Sequence, residues 1–168
     1  MLHDIRTDYQ KSELSEKTIH KKPSIQLQKC LEAAISGKTS EPTAMVLSTI
    51  DPTGNPDSRI VLLKELTSEG LVFFTNYSSK KGKQIGVNPN VSVVFFWPEL
   101  ERQVRIKGRA EKISEKDSEN YYKSRPVDSQ IGAWASPQSQ IIESRKVLDE
   151  NYCLYQEYFQ ERVIEKPP

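Results

Sequence analysis

Apolar and polar positions change period more than once along the chain, and each change predicts a different kind of element. From Ser24 onward Leu27, Cys30, Leu31, Ala34 and Ile35 recur at helical intervals, which predicts a short amphipathic helix with Ser24 as N-cap and Gly37 just past its end. From Ala44 the pattern turns apolar and β-branched. Ala44–Ile50 reads as a first strand, Asp51-Pro52-Thr53-Gly54-Asn55-Pro56 as a turn, Arg59–Lys64 as a second strand, and Leu71–Thr75, after Gly70, as a third. Val91–Trp97 is the fourth. The fifth is the clearest, because Val104, Ile106, Gly108 and Ala110 alternate with Gln103, Arg105, Lys107, Arg109 and Glu111. One face of that strand is core and the other meets solvent or a partner.

Helical signals return between and after the strands. The polar run Ser78–Ile85 is a turn leading into a short helix that stops before Asn88-Pro89. Ser114 and Asp117 have capping-box spacing and open a helix to about Ser124, halted at Arg125-Pro126. Gln130–Ser139 reads as an uncharged loop of amides, hydroxyls and one indole, and a last helix is predicted over roughly Ser139–Gln160, with Val147, Leu148, Tyr152, Tyr155 and Phe159 on one stripe. Short consecutive strands pair antiparallel, so the expected fold is mainly β (α+β): a small antiparallel barrel with peripheral helices. Residues 24–168 form that domain, and the polar residues 1–23, with few apolar anchors, are expected to be a mobile leader.

Composition narrows the function classes. A length of 168 residues fits one domain, and 24 Lys+Arg against 23 Asp+Glu leave a net charge of +1, with no global field for a polyanion. Nucleic-acid binding through Lys80, Lys81 and Lys83 is set aside on that ground. Mean hydropathy is −0.64, no run is long and apolar enough to span a bilayer, and the chain opens on Asp4, Arg6 and Asp8, so no membrane association and a cytoplasmic location are expected. Cys30 and Cys153 are far apart, and the only histidines, His3 and His20, lie in the leader. A zinc site, a disulfide framework, a Cys-His or Ser-His nucleophilic pair within the core, and a metal are not expected.

Three clusters carry candidate chemistry. Arg59 and Lys64 bracket Ile60-Val61-Leu62-Leu63, which suits anion binding at both ends of a buried strand or, equally simply, two solvated strand ends. Lys80, Lys81 and Lys83 lie beside Ser78 and Ser79 near a helix N-terminus, where hydroxyls, ammonium groups and backbone N–H groups suit a phosphate; an exposed charged helix face is the alternative. Tyr121, Arg125 and Ser129, four apart around Pro126, could aim a phenol, a guanidinium and a hydroxyl at one anion. Glycine-rich dinucleotide and Walker loops are absent, so scattered donors would have to hold any phosphorylated ligand.

These residues resemble a known family. Arg59–Lys64, Phe73-Phe74-Thr75-Asn76, Ser79-Lys80-Lys81, Leu100-Glu101-Arg102-Gln103-Val104 and above all Ser124-Arg125-Pro126-Val127-Asp128-Ser129-Gln130-Ile131-Gly132-Ala133-Trp134 are similar to pyridoxamine 5′-phosphate oxidases, in the same order from about Arg6 to the end of the chain. The resemblance implies a split β-barrel homodimer with FMN at the subunit interface. By position, Arg59, Ile60, Val61, Leu62, Leu63, Lys64, Phe74, Thr75, Lys80, Lys81, Gln103, Gln138 and Ser139 would contact FMN. Lys64, Tyr121, Arg125 and Ser129 would hold the substrate phosphate, and Arg6 and Tyr9 of the leader would fold over the site. The implied reaction oxidises pyridoxine 5′-phosphate or pyridoxamine 5′-phosphate to pyridoxal 5′-phosphate, with dioxygen as acceptor and hydrogen peroxide as product. The cofactor performs the redox step, so no protein nucleophile is required. The family continues beyond the position of Pro168 with a Trp-Gly-Gly segment and a tail bearing Arg and His. That departure carries a competing expectation: a non-catalytic split barrel that retains flavin or pyridoxal phosphate. A third keeps the flavin chemistry with a different heterocyclic substrate.

Overall fold

Pro23 lacks a backbone N–H and has its φ fixed near the helical value, so it stands at the first position of helix α1 (Pro23–Ser36). The N-cap is therefore Lys22, without a side-chain cap bond, and not Ser24 as its hydroxyl suggested. Leu27, Cys30, Leu31 and Ala34 are buried along the expected stripe. The structure, a computed structural model, describes residues 1–6 and 8–167. Among these it contains strands β1 (Ala44–Ile50), β2 (Pro56–Leu62), β3 (Glu65–Leu66), β4 (Leu71–Val72), β5 (Asn90–Trp97) and β6 (Arg102–Arg109). The further helices are α2 (Lys80–Val87), α3 (Glu115–Ser124), α4 (Val127–Ala135) and α5 (Arg145–Tyr158). None of these helices is long and apolar enough to cross a membrane.

The antiparallel α+β class is as expected, with more strands than the sequence suggested. Four form a sheet in the order β2-β1-β5-β6, and β3 pairs with β4 in a separate hairpin, closed by the Thr67 hydroxyl at Gly70. The third strand was expected to run to Thr75 but ends at Val72. The second begins at Pro56, a proline tolerated at a strand's first position, and ends at Leu62, so Lys64 lies outside it. Gly108 was expected in the core and is exposed near the end of β6.

Two units emerge: Met1–Ser48, Ser58–Phe73 and Ser92–Gly108, and Thr49–Asp57, Phe74–Val91 and Arg109–Pro168. In the first, β1 and β5 pair as Val46↔Val94 and Leu47↔Val93. Strand alternation puts Met45, Leu47, Phe95 and Trp97 inside, each at most 1% exposed. Phe95 and Trp97 stack at 5.3 Å, and the indole N–H donates to the Pro42 carbonyl at 2.9 Å, so the largest core side chain leaves no donor unpaired. The opposite face carries Val46, Ile60, Leu62 and Phe96, all exposed. Ser48 and Ser58 meet there at 2.8 Å, which places β1 and β2 in one register on that face.

The second unit is mostly helical. Ser79 caps α2 by accepting the Gly82 N–H, and Ser114 caps α3 by accepting that of Asp117, as its spacing predicted. Pro126 stops α3, yet the chain turns at once into α4, where a loop was expected. Buried Gln130 bridges the break: its side-chain amide donates to the Arg125 carbonyl at 2.8 Å and the Lys123 carbonyl at 3.3 Å, covering the open end of α3. Its own carbonyl accepts the Tyr122 hydroxyl at 2.8 Å. The last helix starts at Arg145, later than expected, and packs on α4. Trp134 lies 5.6 Å from both Tyr155 and Phe159, Asn151 donates to the Ala135 carbonyl, and Tyr152 donates to Asp128.

Two outcomes test these contacts. Phe95→Ala removes a ring with no exposed surface and is expected to cost about 3–5 kcal/mol, read as a lower denaturant midpoint. Burial pushes the Tyr122 phenol above its ordinary value, against the pull of the Arg125 charge. A raised folded-state value means its contribution is complete below the unfolded value of about 10 and is lost as pH rises past it. Tyr122→Phe should therefore flatten the alkaline fall in melting temperature, and equal slopes would remove Tyr122 as its source.

Candidate functional site

Between β4 and α2 the chain runs through Phe73-Phe74-Thr75 into a tight turn. The Asn76 side-chain oxygen accepts the Ser78 N–H at 2.7 Å, and its carbonyl accepts the Ser79 hydroxyl at 2.6 Å. Helix α2 presses against this turn: a Cβ on Gly82 would lie 2.8 Å from the Asn76 carbonyl oxygen and closer still to that of Tyr77. Only glycine allows that approach without a shift.

Within this second unit the turn forms one wall of a cavity of about 410 Å³. Phe74 and Thr75 come from the turn, Tyr121 and Arg125 from the end of α3, Ser129 from α4, and Gln138 from the segment after α4. Six residues singled out from the sequence thus converge on one space. Phe74 and Tyr121 stack face to face, with centroids 3.5 Å apart and planes 7° from parallel. The half-buried Arg125 guanidinium reaches the Tyr122 ring at 6.0 Å. Among the described residues, the Thr75 hydroxyl is the buried side-chain oxygen that finds no hydrogen-bond partner, and it belongs to a cavity-lining residue.

The α2 lysines divide. Lys81 donates to the Gln138 side-chain oxygen at 2.9 Å and so joins a cavity residue, while Lys80 pairs with Asp57 at 3.0 Å. Asp57 also accepts from Gln84 at 3.2 Å, and Gln84 accepts the buried Thr49 hydroxyl at 2.6 Å. Lys80 and Ser139 do not line the cavity; Ser139 is exposed with φ +64°, a left-handed backbone that non-glycine residues seldom hold.

The other residues singled out lie in the first unit. Arg59 sits within β2 and donates to the Leu47 carbonyl at 3.2 Å, Ile60 and Leu62 are exposed, Val61 is half-buried and Leu63 is buried. The exposed Lys64 donates its backbone N–H to the Val72 carbonyl. Gln103 is exposed on β6, and Arg6 and Tyr9 are exposed in the leader. The picture of one strand bracketed by two cations is corrected, because Arg59 is interior to β2 and Lys64 lies past its end.

Further lining residues went unrecognised in the sequence. Ser118 and Tyr122 belong to α3 on the turns around Tyr121, a helical spacing that could have found them, whereas Lys166, 3.4 Å from the Ser118 hydroxyl, had no local signal. Lys112 stands 4.5 Å over the Tyr77 ring. A guanidinium, an ammonium, several hydroxyls and flat aromatic faces around one space suit an anionic group carried on a planar ring.

A family model described as pyridoxamine 5′-phosphate oxidase matches residues 31–151. A pyridoxine/pyridoxamine 5′-phosphate oxidase of a Nostoc species is 46% identical over 164 residues, covering 98% of this chain and 77% of the relative. Its counterpart from Actinobacillus pleuropneumoniae is 55% identical over 147 residues, 88% of this chain and 70% of the relative. Among solved structures, PhzG from Burkholderia lata, in complex with tetrahydrophenazine-1-carboxylic acid, superposes with a TM-score of 0.84 at 24% identity, over 90% of this chain and 74% of its own. A pyridoxamine 5′-phosphate oxidase-related, FMN-binding protein of Nostoc punctiforme gives 0.59 at 16% identity, over 92% of this chain and 79% of its own. The fold is therefore that of the FMN-binding split barrels, and the chain belongs to the pyridoxamine 5′-phosphate oxidase family.

Proposed function

We propose that the protein is an FMN-dependent oxidase that converts pyridoxine 5′-phosphate or pyridoxamine 5′-phosphate to pyridoxal 5′-phosphate, with dioxygen as acceptor and hydrogen peroxide as product. The observation that carries this reading is the convergence of Tyr121, Arg125 and Ser129 with Phe74 and Thr75 on one cavity. Arg125 supplies a planar fork matched to phosphate oxygens, and the Tyr121 and Ser129 hydroxyls supply two further donors. Lys64 and the leader residues Arg6 and Tyr9 complete the substrate set in this reading.

The residues present fit a phosphorylated flavin. Thr75 has a buried hydroxyl without a partner, Lys81 and Gln138 offer a joined ammonium and amide, and Lys80 stands at the N-terminus of α2. Arg59, Ile60, Val61, Leu62, Leu63, Lys64, Gln103 and Ser139 are assigned to the same cofactor. When bound, FMN takes up the electrons removed from the substrate and delivers them to dioxygen. The protein's share is to fix the substrate ring against the flavin, exclude water and neutralise phosphate charge. Dimerisation belongs to the proposal and is supported by the exposed apolar side chains Val46, Ile60, Leu62 and Phe96 on one face of the sheet.

Protein supplied with FMN should be yellow and should generate pyridoxal phosphate and peroxide under air. Bound flavin without turnover of either vitamer, but reduced by another heterocycle, would redirect the substrate assignment, and no flavin uptake at all would overturn the reading. Arg125→Ala should raise KM for the phosphorylated substrate by about 10- to 100-fold while leaving FMN affinity near wild type. Lys81→Ala should do the reverse, read by flavin fluorescence titration. Equal losses of both ligands in either variant would contradict this division of labour.

A further inference from the structure

The leader is held to the first unit by a small set of hydrogen bonds. One carboxylate oxygen of Glu101 accepts the backbone N–H groups of Gln10 at 2.7 Å and Lys11 at 2.8 Å, and the Lys11 ammonium donates to the Glu99 carbonyl at 2.8 Å. Two successive backbone donors converging on one anionic oxygen make a charge-assisted grip that no leader side chain has to supply.

The turn that presents this carboxylate is braced. Glu101 ends the 3-10 turn Pro98–Leu100 with φ +52°, its N–H returned to the Pro98 carbonyl at 3.1 Å. The Glu99 side chain accepts the Ser40 N–H, and Leu100 approaches Gly37 so closely that a Cβ there would lie 3.4 Å from its Cδ2. The left-handed backbone at Glu101 is therefore over-determined by its surroundings, the circumstance in which such a conformation persists.

We propose that Glu101 is a positioning residue, a carboxylate clasp that grips the leader at Gln10 and Lys11 and thereby places Tyr9 and Arg6 beside the start of β6. Tyr9 immediately precedes the gripped pair, and Arg6 lies four residues before Gln10, a reach of at most about 14 Å of extended chain. Gln103, assigned to the cofactor, lies two residues past Glu101 along the strand, about 7 Å away. The clasp itself rests on the hydrogen bonds alone; its effect on turnover rests on the proposed oxidase function.

Glu101→Gly relieves the positive φ while removing the carboxylate, and Glu101→Gln keeps the length and removes the charge. Trypsin cleavage after Arg6 and Lys11, located by mass spectrometry on the intact holoprotein, should quicken about tenfold in Glu101→Gly and less in Glu101→Gln. Melting temperature and FMN affinity should stay at wild-type values, and KM for pyridoxine 5′-phosphate should rise about tenfold, with a smaller change in kcat. Unchanged cleavage would overturn the clasp, and faster cleavage with unchanged KM would overturn its positioning role. A wild-type chain without flavin or turnover would instead sink the oxidase reading, while the cleavage comparison would still decide whether the clasp exists.

Discussion

The candidate site depends on the way Gln130 spans the proline break between α3 and α4. Pro126 removes a donor and forces Arg125 into extended backbone, which by itself would leave the carbonyls at the end of α3 open and the two helices free to diverge. The buried amide of Gln130 takes up two of those carbonyls, and the Tyr122 hydroxyl closes the link from the other side. The Tyr122 bond is buried and the two amide bonds are part-buried, so losing the Gln130 side chain or the Tyr122 hydroxyl leaves a poorly hydrated polar group without its partner, and the arrangement holds as a set. Tyr121, Arg125 and Ser129 owe their convergence to it. A continuous helix would also have put residues four apart on one face, but without the sharp re-entry that lets α4 contribute Ser129 and Gly132 to the same cavity as the end of α3.

Much of this was legible in the residues because the signals were local. Ser114 with Asp117, Ser79 before the lysines, the apolar run of β5 and the alternation through β6 each state their element within a few positions, and each was found where expected within a residue or two. What was missed follows from weak or competing signals. In α4 the buried positions Ile131 and Ala135 are four apart, yet Gly132, Gln130 and Ser129 dilute the stripe, and the real start signal was the proline itself. The β3–β4 hairpin has two residues per strand, too few for a period to show. At Ser24 a good capping side chain lost to Pro23, whose missing N–H and restricted φ favour the first turn of a helix more strongly than a hydroxyl one residue later.

The site residues show the same division. Four-residue spacing around Pro126 pointed to a shared anion, and the structure brings those three side chains to one cavity together with Phe74 and Thr75, which the family resemblance supplied. Spacing misled in β2, where strand ends were inferred from cations. The true start is a proline, and Leu63, buried just past the strand's end, separates Arg59 from Lys64. Asp57 and Gln84 escaped notice because their partnership with Lys80 joins distant parts of the sequence, and no short motif encodes such a contact.

The seating of Gly82 under the Asn76-Tyr77 backbone has a mechanical consequence. With no side chain between them, helix and turn touch backbone to backbone, and neither can slide without carrying the other. Lys80 and Lys81 ride on the helix while Thr75 leads into the turn, so a shift of the cavity wall at Thr75 carries the backbone of both lysines with it, joining two stretches of chain into a single moving part.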